Sequence, residues 1–412
     1  MKTADPELMR AINRFHVMDA IRRIGPVSRV EISERTELSP TTVSAITAAL
    51  LDDRLITPIS VGAVRDAGRG RPRVMLRLNP DAAHVVGVRI TPEQITVATT
   101  NFCADVLGDL VLPIRVDRQT PSVIADLVED GVRRCVSDAG LGMADISGVC
   151  VGLPGVVERA AAVCRQSPIF GERDVPLGAS LTDRLGAPVS IDSDVNLAAL
   201  AEHWFGPSRD LDDFLVVSVG YSLGLGILHN GELFRGANGL SPDLGDLVIR
   251  AQGDSAARLG DVASESAVVA AAQMGFEGDA QAALRGGRGL TQVLDRAAAG
   301  DAACARLLAG AGKALGAAVA NLVVLFAPPK VIVAGRMTSS PFFADPLREA
   351  AAALLPPSLA GVSDIVFRDW SESVWVRGAA AMALRDLYGA PWGTTGPARL
   401  REAQQTLTGD EP

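Results

Sequence analysis

The stretch Ser28-Arg-Val-Glu-Ile-Ser-Glu-Arg-Thr-Glu-Leu-Ser-Pro-Thr-Thr-Val-Ser-Ala-Ile-Thr-Ala-Ala-Leu-Leu-Asp-Asp-Arg-Leu55 contains two helix starts. Ser28 followed three residues later by Glu31 is a capping box, in which hydroxyl and carboxylate each satisfy a backbone N–H that the helix leaves unpaired. Ser39 followed by Pro40 is an N-cap with proline at the first helical position, where its missing N–H is not needed. The turn between the two lies at Glu37-Leu38. Two short helices joined in this way form a helix-turn-helix. In the second helix Val43, Ile46 and Leu50 share a face and are expected to point inward. Ser39, Thr41, Thr42, Ser44 and Ala45 sit near its N-terminus, small and polar or methyl-bearing, where a recognition helix touches base edges. Arg29, in the first turn of the first helix, is a further candidate contact to DNA. An ordinary helical hairpin with solvated threonines would share this local pattern, so the flanks decide.

Leu55 to Ile59 reads as one strand, and Arg73-Val-Met-Leu-Arg-Leu78 alternates like another. Between them lies Gly68-Arg69-Gly70-Arg71-Pro72-Arg73. The pattern is a winged helix with a basic, glycine-loosened wing. Its Arg-Gly-Arg-Pro core resembles an AT-hook, in which extended arginines enter a narrow A·T-rich minor groove. A flexible basic linker is the alternative. Arg69, Arg71 and Arg73 are the candidate wing contacts.

Charge supports the DNA reading. The 412 residues carry a net charge of −9, which alone argues against a polyanionic partner. The distribution is uneven, however. Residues 1–80 hold 13 Lys+Arg against 9 Asp+Glu, and the remainder holds 26 against 39. A basic head on an acidic body is the asymmetry expected of a DNA-binding domain with a separate sensor. Cys103, Cys135, Cys150, Cys164 and Cys304 are scattered, with neither metal-knuckle spacing nor a disulfide framework. No signal peptide and no apolar run of bilayer-spanning length is read, so the expectation is a cytoplasmic protein without a membrane partner.

Residues 8–24 form an amphipathic helix, with Ile12, Phe15, Met18 and Ile21 on its inner face and Gly25-Pro26 at its end. Asn79-Pro80-Asp81 breaks the pattern and separates a DNA-binding domain, residues 1–78, from an effector domain, residues 82–388. The runs His84–Ile90, Gln94–Ala98 and Val106–Val116 suggest a meander. A helix over Pro121–Ala139 then precedes Ile146-Ser-Gly-Val-Cys-Val-Gly-Leu-Pro-Gly155, a buried strand ending in a glycine turn. Strands followed by crossover helices indicate an α/β sheet. At Val189–Glu202 the chain again runs strand, turn, helix, which puts Asp194 at the carboxyl end of a strand, where open α/β sheets bind ligands. Gly220-Tyr-Ser-Leu-Gly-Leu-Gly226 is a glycine-rich hairpin, either a phosphate approach or simply a tight turn. Further on come an alanine-rich helix over 301–327, a strand ending at Gly335, a helix over Phe342–Leu355, a strand at Ile365–Phe367 and a helix over Ser373–Tyr388. The tail, residues 389–412, has the Gly, Pro, Thr and charge content of a disordered segment.

Taken together these motifs resemble the ROK family (repressor, open reading frame, kinase), in its transcriptional-repressor branch. The resemblance rests on the order of Gly-Arg-Gly-Arg-Pro72, Val-Gly-Leu-Pro-Gly155, Asp192-Ser-Asp-Val-Asn-Leu-Ala-Ala-Leu-Ala-Glu202, the glycines of 220–226, Arg235-Gly-Ala-Asn-Gly239 and Arg377-Gly-Ala-Ala380, and covers nearly the whole chain. It implies an α/β fold with an N-terminal winged helix-turn-helix and a two-lobed sugar-kinase/actin-like domain that holds a sugar between its lobes.

The departures from the family pattern are informative. Kinase members open their first lobe with Asp-x-Gly-Gly-Thr, which manages ATP phosphates and magnesium. Here that place holds Gly87-Val-Arg-Ile-Thr-Pro92, and an arginine is not a magnesium ligand. The second phosphate loop, Gly-Thr-Gly in kinases, is Gly220-Tyr221-Ser222. Asp194 stands at the position of the kinase base, but a base without positioned ATP transfers no phosphoryl group. The family's zinc site, a histidine with a Cys-x-Cys-Gly-x-x-Gly-Cys loop, is replaced by Asp246 and a segment 253–261 without cysteine. No metal and no cofactor are therefore expected. For the sugar, the family's Asn-Asp pair becomes Ser193-Asp194 and its Glu-x-Gly-His becomes Asp243-Leu-Gly-Asp246. Its last Glu aligns with Gly260, beside Asp261, or, without a gap, with Glu265. The expected ligand set is Ser193, Asp194, Asp243, Asp246 and Asp261, because carboxylates each accept several hydroxyl donors. The resemblance thus implies a regulator without kinase activity. It would act as a homodimer or tetramer on a double-stranded operator and respond to a sugar or related small-molecule effector. The rival readings are a sugar kinase with an added DNA-binding head, and a DNA-binding regulator without an effector.

Overall fold

The structure, a computed structural model, describes residues 6–59, 74–241, 243–252, 255–275, 289–370 and 372–388. Its first helix, α1, spans Pro6–Ile24, with Phe15, Val17, Met18 and Ile21 buried. α2 (Arg29–Thr36) starts at the capping box read from the sequence: the Glu31 amide donates to Ser28 Oγ at 3.3 Å, and the Ser28 amide to Glu31 Oε2 at 2.8 Å. Glu37 turns the chain through a left-handed conformation at φ 55°. α3 (Pro40–Asp52) then begins under Ser39 Oγ, which accepts from the Thr42 amide at 3.1 Å. Val43 and Leu50 are fully buried and Ile46 partly so, while Thr41, Ser44 and Ala45 are exposed. Strands β1 (Val27–Ser28), β2 (Ile56–Ile59) and β3 (Met75–Leu78) close the unit as an antiparallel sheet in the order β1-β3-β2. The connection from β2 to β3, with Arg69, Arg71 and Arg73, lies outside the described residues.

Two five-stranded sheets make up the body. The first takes the order β10-β7-β4-β5-β6, from β4 (His84–Ile90), β5 (Gln94–Asn101), β6 (Val106–Pro113), β7 (Ile146–Leu153) and β10 (Val189–Ser193). β4, β7 and β10 run parallel, while β5 and β6 continue β4 as the expected meander. A short hairpin, β8 (Val156–Glu158) with β9 (Val163–Gln166), lies beyond β7. Helices α4 (Pro121–Asp138) and α5 (Leu177–Leu185) cover the outer face. The second sheet takes the order β13-β12-β11-β16-β17, from β11 (Phe214–Val219), β12 (Leu223–His229), β13 (Glu232–Leu233), β16 (Lys330–Ala334) and β17 (Asp364–Arg368). Its outer face is covered by the long helix Ala302–Phe326 and by Pro341–Leu354. β14 (Val248–Gln252) and β15 (Ser255–Arg258) form a separate hairpin.

The long helix revises one expectation. By length and composition it could cross a membrane, although just over half of its most apolar window is buried inside the protein.

Between the sheets lie two more helices, α6 (Asp194–Phe205) and the C-terminal helix (Glu372–Leu387), packed on each other. Glycines set their spacing. A Cβ on Gly378 would sit 2.0 Å from the Leu197 carbonyl oxygen, and one on Gly87 would sit 2.3 Å from that of Val376. Only glycine permits backbones to approach so closely. β4, the C-terminal helix and α6 are thereby held as one stack. Both helices start at the same end. Asp194 and Glu372 are joined there through Arg89, and at the far end Trp204 stacks on Tyr388 with ring centroids 5.6 Å apart.

That far end is where the N-terminal unit docks. The Arg22 guanidinium lies over the Trp204 ring at 4.1 Å, and Tyr388 donates its hydroxyl to the Phe102 carbonyl at 2.8 Å. The Trp204–Tyr388 stack beneath them contributes roughly 0.5–1.5 kcal/mol beyond its burial. Phe15, Met18 and Ile21 share one continuous apolar cluster with Trp204, Met382 and Tyr388.

Candidate functional site

β4, β10, the β11–β12 turn, the end of β16 and the start of the C-terminal helix converge on a cleft of about 300 Å³ between the sheets. β10 ends by handing Ser193 and Asp194 to the first turn of α6, so that both line the cleft. β4 ends by presenting Arg89. Its Nη1 donates to both Glu372 oxygens, at 2.7 and 2.8 Å, and its Nη2 reaches Asp194 Oδ2 at 3.3 Å. The same guanidinium lies 4.0 Å from the centre of the Trp375 ring. On the opposite wall Arg336, just past β16, donates to Glu265 Oε2 at 2.7 Å. Asp243 takes the Gly245 amide at 2.8 Å.

The electrostatics follow from burial. Asp194 is 8% exposed, and desolvation raises its carboxyl above the usual range despite the neighbouring Arg89. Burial also raises Glu265, against the pull of Arg336, and Asp243, where Asp246 adds to the shift. Asp192, two residues before Asp194, behaves oppositely. It is fully buried, yet Arg235 at 2.5 Å and Arg159 at 3.6 Å outweigh the desolvation and hold it below the usual range. Asn196 and Ser241 complete its hydrogen bonds. Asp192 is therefore a structural anchor, and Asp194 is the carboxylate that faces the cleft.

The expected ligand set divides. Ser193, Asp194 and Asp243 come together in the cleft. Asp246 and Asp261 are not among its lining residues. Asp246 is half-exposed and paired with Arg258 at 2.8 Å, and Asp261 is exposed on the one-turn helix Gly260–Ala263. The reason is local. The Gly260 amide donates to the Gly245 carbonyl at 2.9 Å, backbone against backbone, which turns the next side chain outward. Glu265, from the ungapped alternative, is the carboxylate that lines the cleft. Reading the sequence missed Glu372, Trp370, Trp375 and Arg336. One signal was available: a chain with four tryptophans places two of them within six residues, beside Asp369 and Glu372.

On the N-terminal unit, Thr41 and Ser44 are exposed at the start of α3, and Thr42 is partly covered by a hydrogen bond with Ser39 at 2.8 Å. Arg29, the remaining candidate of this unit, is partly buried. Its Nε donates to Thr47 Oγ1 at 2.8 Å, bracing α2 against α3.

The ROK family profile matches residues 86–386, which takes in both sheets and the helices between them. This chain belongs to the ROK family. ROK relatives include the xylose repressor of Caldicellulosiruptor bescii, 28% identical over 354 residues, spanning 83% of this chain and 88% of that one. The DNA-binding transcriptional dual regulator NagC of Escherichia coli K12 is 25% identical over 343 residues, spanning 81% and 82%. Among solved structures, a ROK family transcriptional regulator described as a homologue of the E. coli MLC protein superposes with a TM-score of 0.74 at 25% identity, over 92% of this chain and 97% of that one. A ROK glucokinase from Streptomyces griseus, in complex with glucose and AMPPNP, shares the fold at a TM-score of 0.62 and 22% identity, over 73% of this chain and 99% of its own.

Proposed function

We propose that this chain is a DNA-binding transcriptional repressor that senses a sugar or related small molecule in the interlobe cleft and does not phosphorylate it. In this reading residues 1–78 are a winged helix-turn-helix, residues 82–388 are the effector domain, and the protein works in the cytoplasm as a homodimer or tetramer on a double-stranded operator. The tail 389–412 lies outside the described residues. Three findings support the DNA-binding head: the capped pair α2 and α3, the exposed small residues at the start of α3, and the ROK regulator whose likeness extends over 92% of the chain where the glucokinase is complete after 73%. An exposed apolar strip, Val324, Leu325 and Phe326 with Leu354, suits a second copy.

One observation carries the coupling. α6 and the C-terminal helix each begin at the cleft, with Asp194 and Glu372, and each end under α1, with Trp204 and Arg385. A ligand that competes for Asp194 or Glu372 shifts two rods, the shorter about 18 Å long at 1.5 Å per residue, against the head. Such a ligand redistributes two lobe arrangements that differ in DNA affinity.

The kinase reading has one observation in its favour, the Asp194 carboxylate at the start of α6. Gly87 and Arg89 oppose it, because a glycine stands where a kinase places its acid for magnesium and a bulky cation stands where it places a phosphate-loop glycine. Asp246, paired with Arg258, stands where the family's zinc histidine would be, and metal analysis of the purified protein should find no stoichiometric zinc. The deciding experiment is selection of DNA fragments by the purified chain, with and without a sugar panel. A repressor should enrich a pseudo-palindromic sequence and release it with at least one sugar. A chain that enriches no sequence is not a DNA-binding regulator.

A further inference from the structure

We propose that residues 389–401, the segment that follows the C-terminal helix, dock back into a second cavity and hold the N-terminal unit against the body. This cavity, of about 740 Å³, has α1 and the turn after α2 on one side. On the other side are the end of α6, the β12–β13 turn and the last turn of the C-terminal helix. Its size falls within the range of ligand sites. It shares no lining residue with the interlobe cleft. The docking depends neither on what that cleft binds nor on whether the N-terminal unit binds DNA.

The C-terminal helix delivers the segment to this place. Arg385 lines the cavity, and Tyr388, three residues on, stacks on Trp204, which lines it as well. Gly389 and Pro391 follow in the sequence, residue types that end helices and turn the chain. Trp392 is four residues past Tyr388, a span of at most about 14 Å along an extended chain. Its tether keeps the segment at a high effective concentration beside the cavity, an advantage that a free peptide lacks.

The walls present groups that a peptide satisfies. His203 is 2% exposed, and its Nδ1 is buried without a hydrogen-bond partner. A peptide backbone brings both N–H and C=O groups, so it meets Nδ1 in either tautomer, and the indole N–H of Trp392 is a further donor. Asp19, Glu37, Asp212 and Glu232 line the cavity against three arginines, an excess of one acid with the histidines counted neutral. Glu37 is exposed at the rim without an ion-pair partner among the described residues. Residues 389–401 carry the opposite sign, with Arg399 and Arg401 and no acid before Glu402. The docked segment would thus bridge the turn of the helix pair to the body, at the end of the molecule where Trp204 and Arg385 already meet α1.

The test uses the full chain, without DNA or sugar. With Trp392 replaced by the photoreactive p-benzoylphenylalanine, irradiation and peptide mass spectrometry should find cross-links within one chain to Phe15–Arg23, Arg35–Glu37 or Asn230–Glu232. Cross-links only to other surfaces, none at all, or only links between isotopically labelled and unlabelled copies overturn the proposal. Amide exchange supplies the second reading, on wild type and Trp392→Ala. The variant should lose protection in α1 and at Arg35–Glu37 while β4 and β16, in the two sheets, exchange as in wild type. Equal exchange in both proteins, or faster exchange throughout the variant, contradicts docking at this junction.

Discussion

Arg89 joins Asp194 at 3.3 Å while its other arm is held by both oxygens of Glu372. The carboxylate at the kinase-base position is thus tied to a guanidinium where phosphoryl transfer needs a magnesium ion and an open nucleotide path. No turnover is expected from a coupled ADP-release assay across common hexoses and pentoses. Sugar-dependent turnover that Asp194→Asn abolishes would make the protein a kinase with a DNA-binding head.

Asp243 and Glu265 are carboxyls raised by burial. A folded-state pKa above the unfolded one means that the folded protein holds the proton more tightly. The favourable contribution is present below the unfolded value and lost as pH rises through the folded one. At neutral pH both groups therefore weaken the ligand-free protein. Asp243→Asn should raise its melting temperature by roughly 1–3 °C and at the same time remove the shift caused by a bound sugar. A melting scan with and without ligand checks both, and a variant that keeps the full ligand shift would place the effector elsewhere.

Beside its apolar contacts, the junction between head and body has an ionic part. Arg23 Nη2 lies 2.8 Å from His203 Nε2 and donates to Asp212 at 3.2 Å, Asp19 takes Arg23 Nε at 2.7 Å, and His203 Nε2 lies 3.2 Å from Asp212 Oδ1. The hydrogen bond from His203, with help from Arg23, lowers Asp212 to about 2. Burial, followed by Arg23, lowers His203, whose Nδ1 is buried without a partner. A histidine with a lowered folded pKa gives stability that is complete above its ordinary value and lost as pH falls below it. Asp212 acts further down, below the ordinary carboxylate range. α1 should therefore loosen between roughly pH 7 and 5, seen as faster amide exchange in Phe15–Ile24 after correction for intrinsic rates. His203→Gln should flatten that dependence, and equal pH dependence in both proteins would rule out His203 as its source.

The residues expected to touch DNA separate into two kinds. Arg69 and Arg71 are spaced by glycine, and Pro72 restricts Arg71 away from helix. Replacing both with Ala should weaken binding to specific and scrambled duplexes alike and reduce the salt slope by roughly one unit for each phosphate no longer neutralised. Thr42→Ala should leave the slope alone and relax one or two half-site positions, at about 1–3 kcal/mol. An unchanged slope and affinity in the double arginine variant would reduce Gly68–Arg73 to a linker.

The elements readable in the sequence were those written locally. The Ser28 and Ser39 caps, the β11–β12 glycines and the strand leading to Asp194 each depend on neighbours a few residues away. The interlobe site depends on distant ones. Whether Asp261 or Glu265 faces the cleft is decided by Gly260 lying against Gly245, which no spacing rule contains. That Arg29 also braces α2 against α3 was not legible, because Thr47, its partner, is 18 residues on. Gly378 was visible as part of a motif, but its reason, the Leu197 carbonyl, belongs to another helix.

The central claim is that occupancy of the Asp194–Asp243 cleft controls the grip of the head on DNA. The direct measurement is operator affinity of wild type and Asp243→Asn, titrated with the sugar that most stabilises the wild type. Wild-type affinity should fall at least about tenfold with sugar, a coupling of roughly 1.4 kcal/mol, while Asp243→Asn binds DNA as tightly as unliganded wild type and does not respond. A variant that still releases DNA on adding the sugar, or a wild type whose affinity is the same with and without it, would contradict the account.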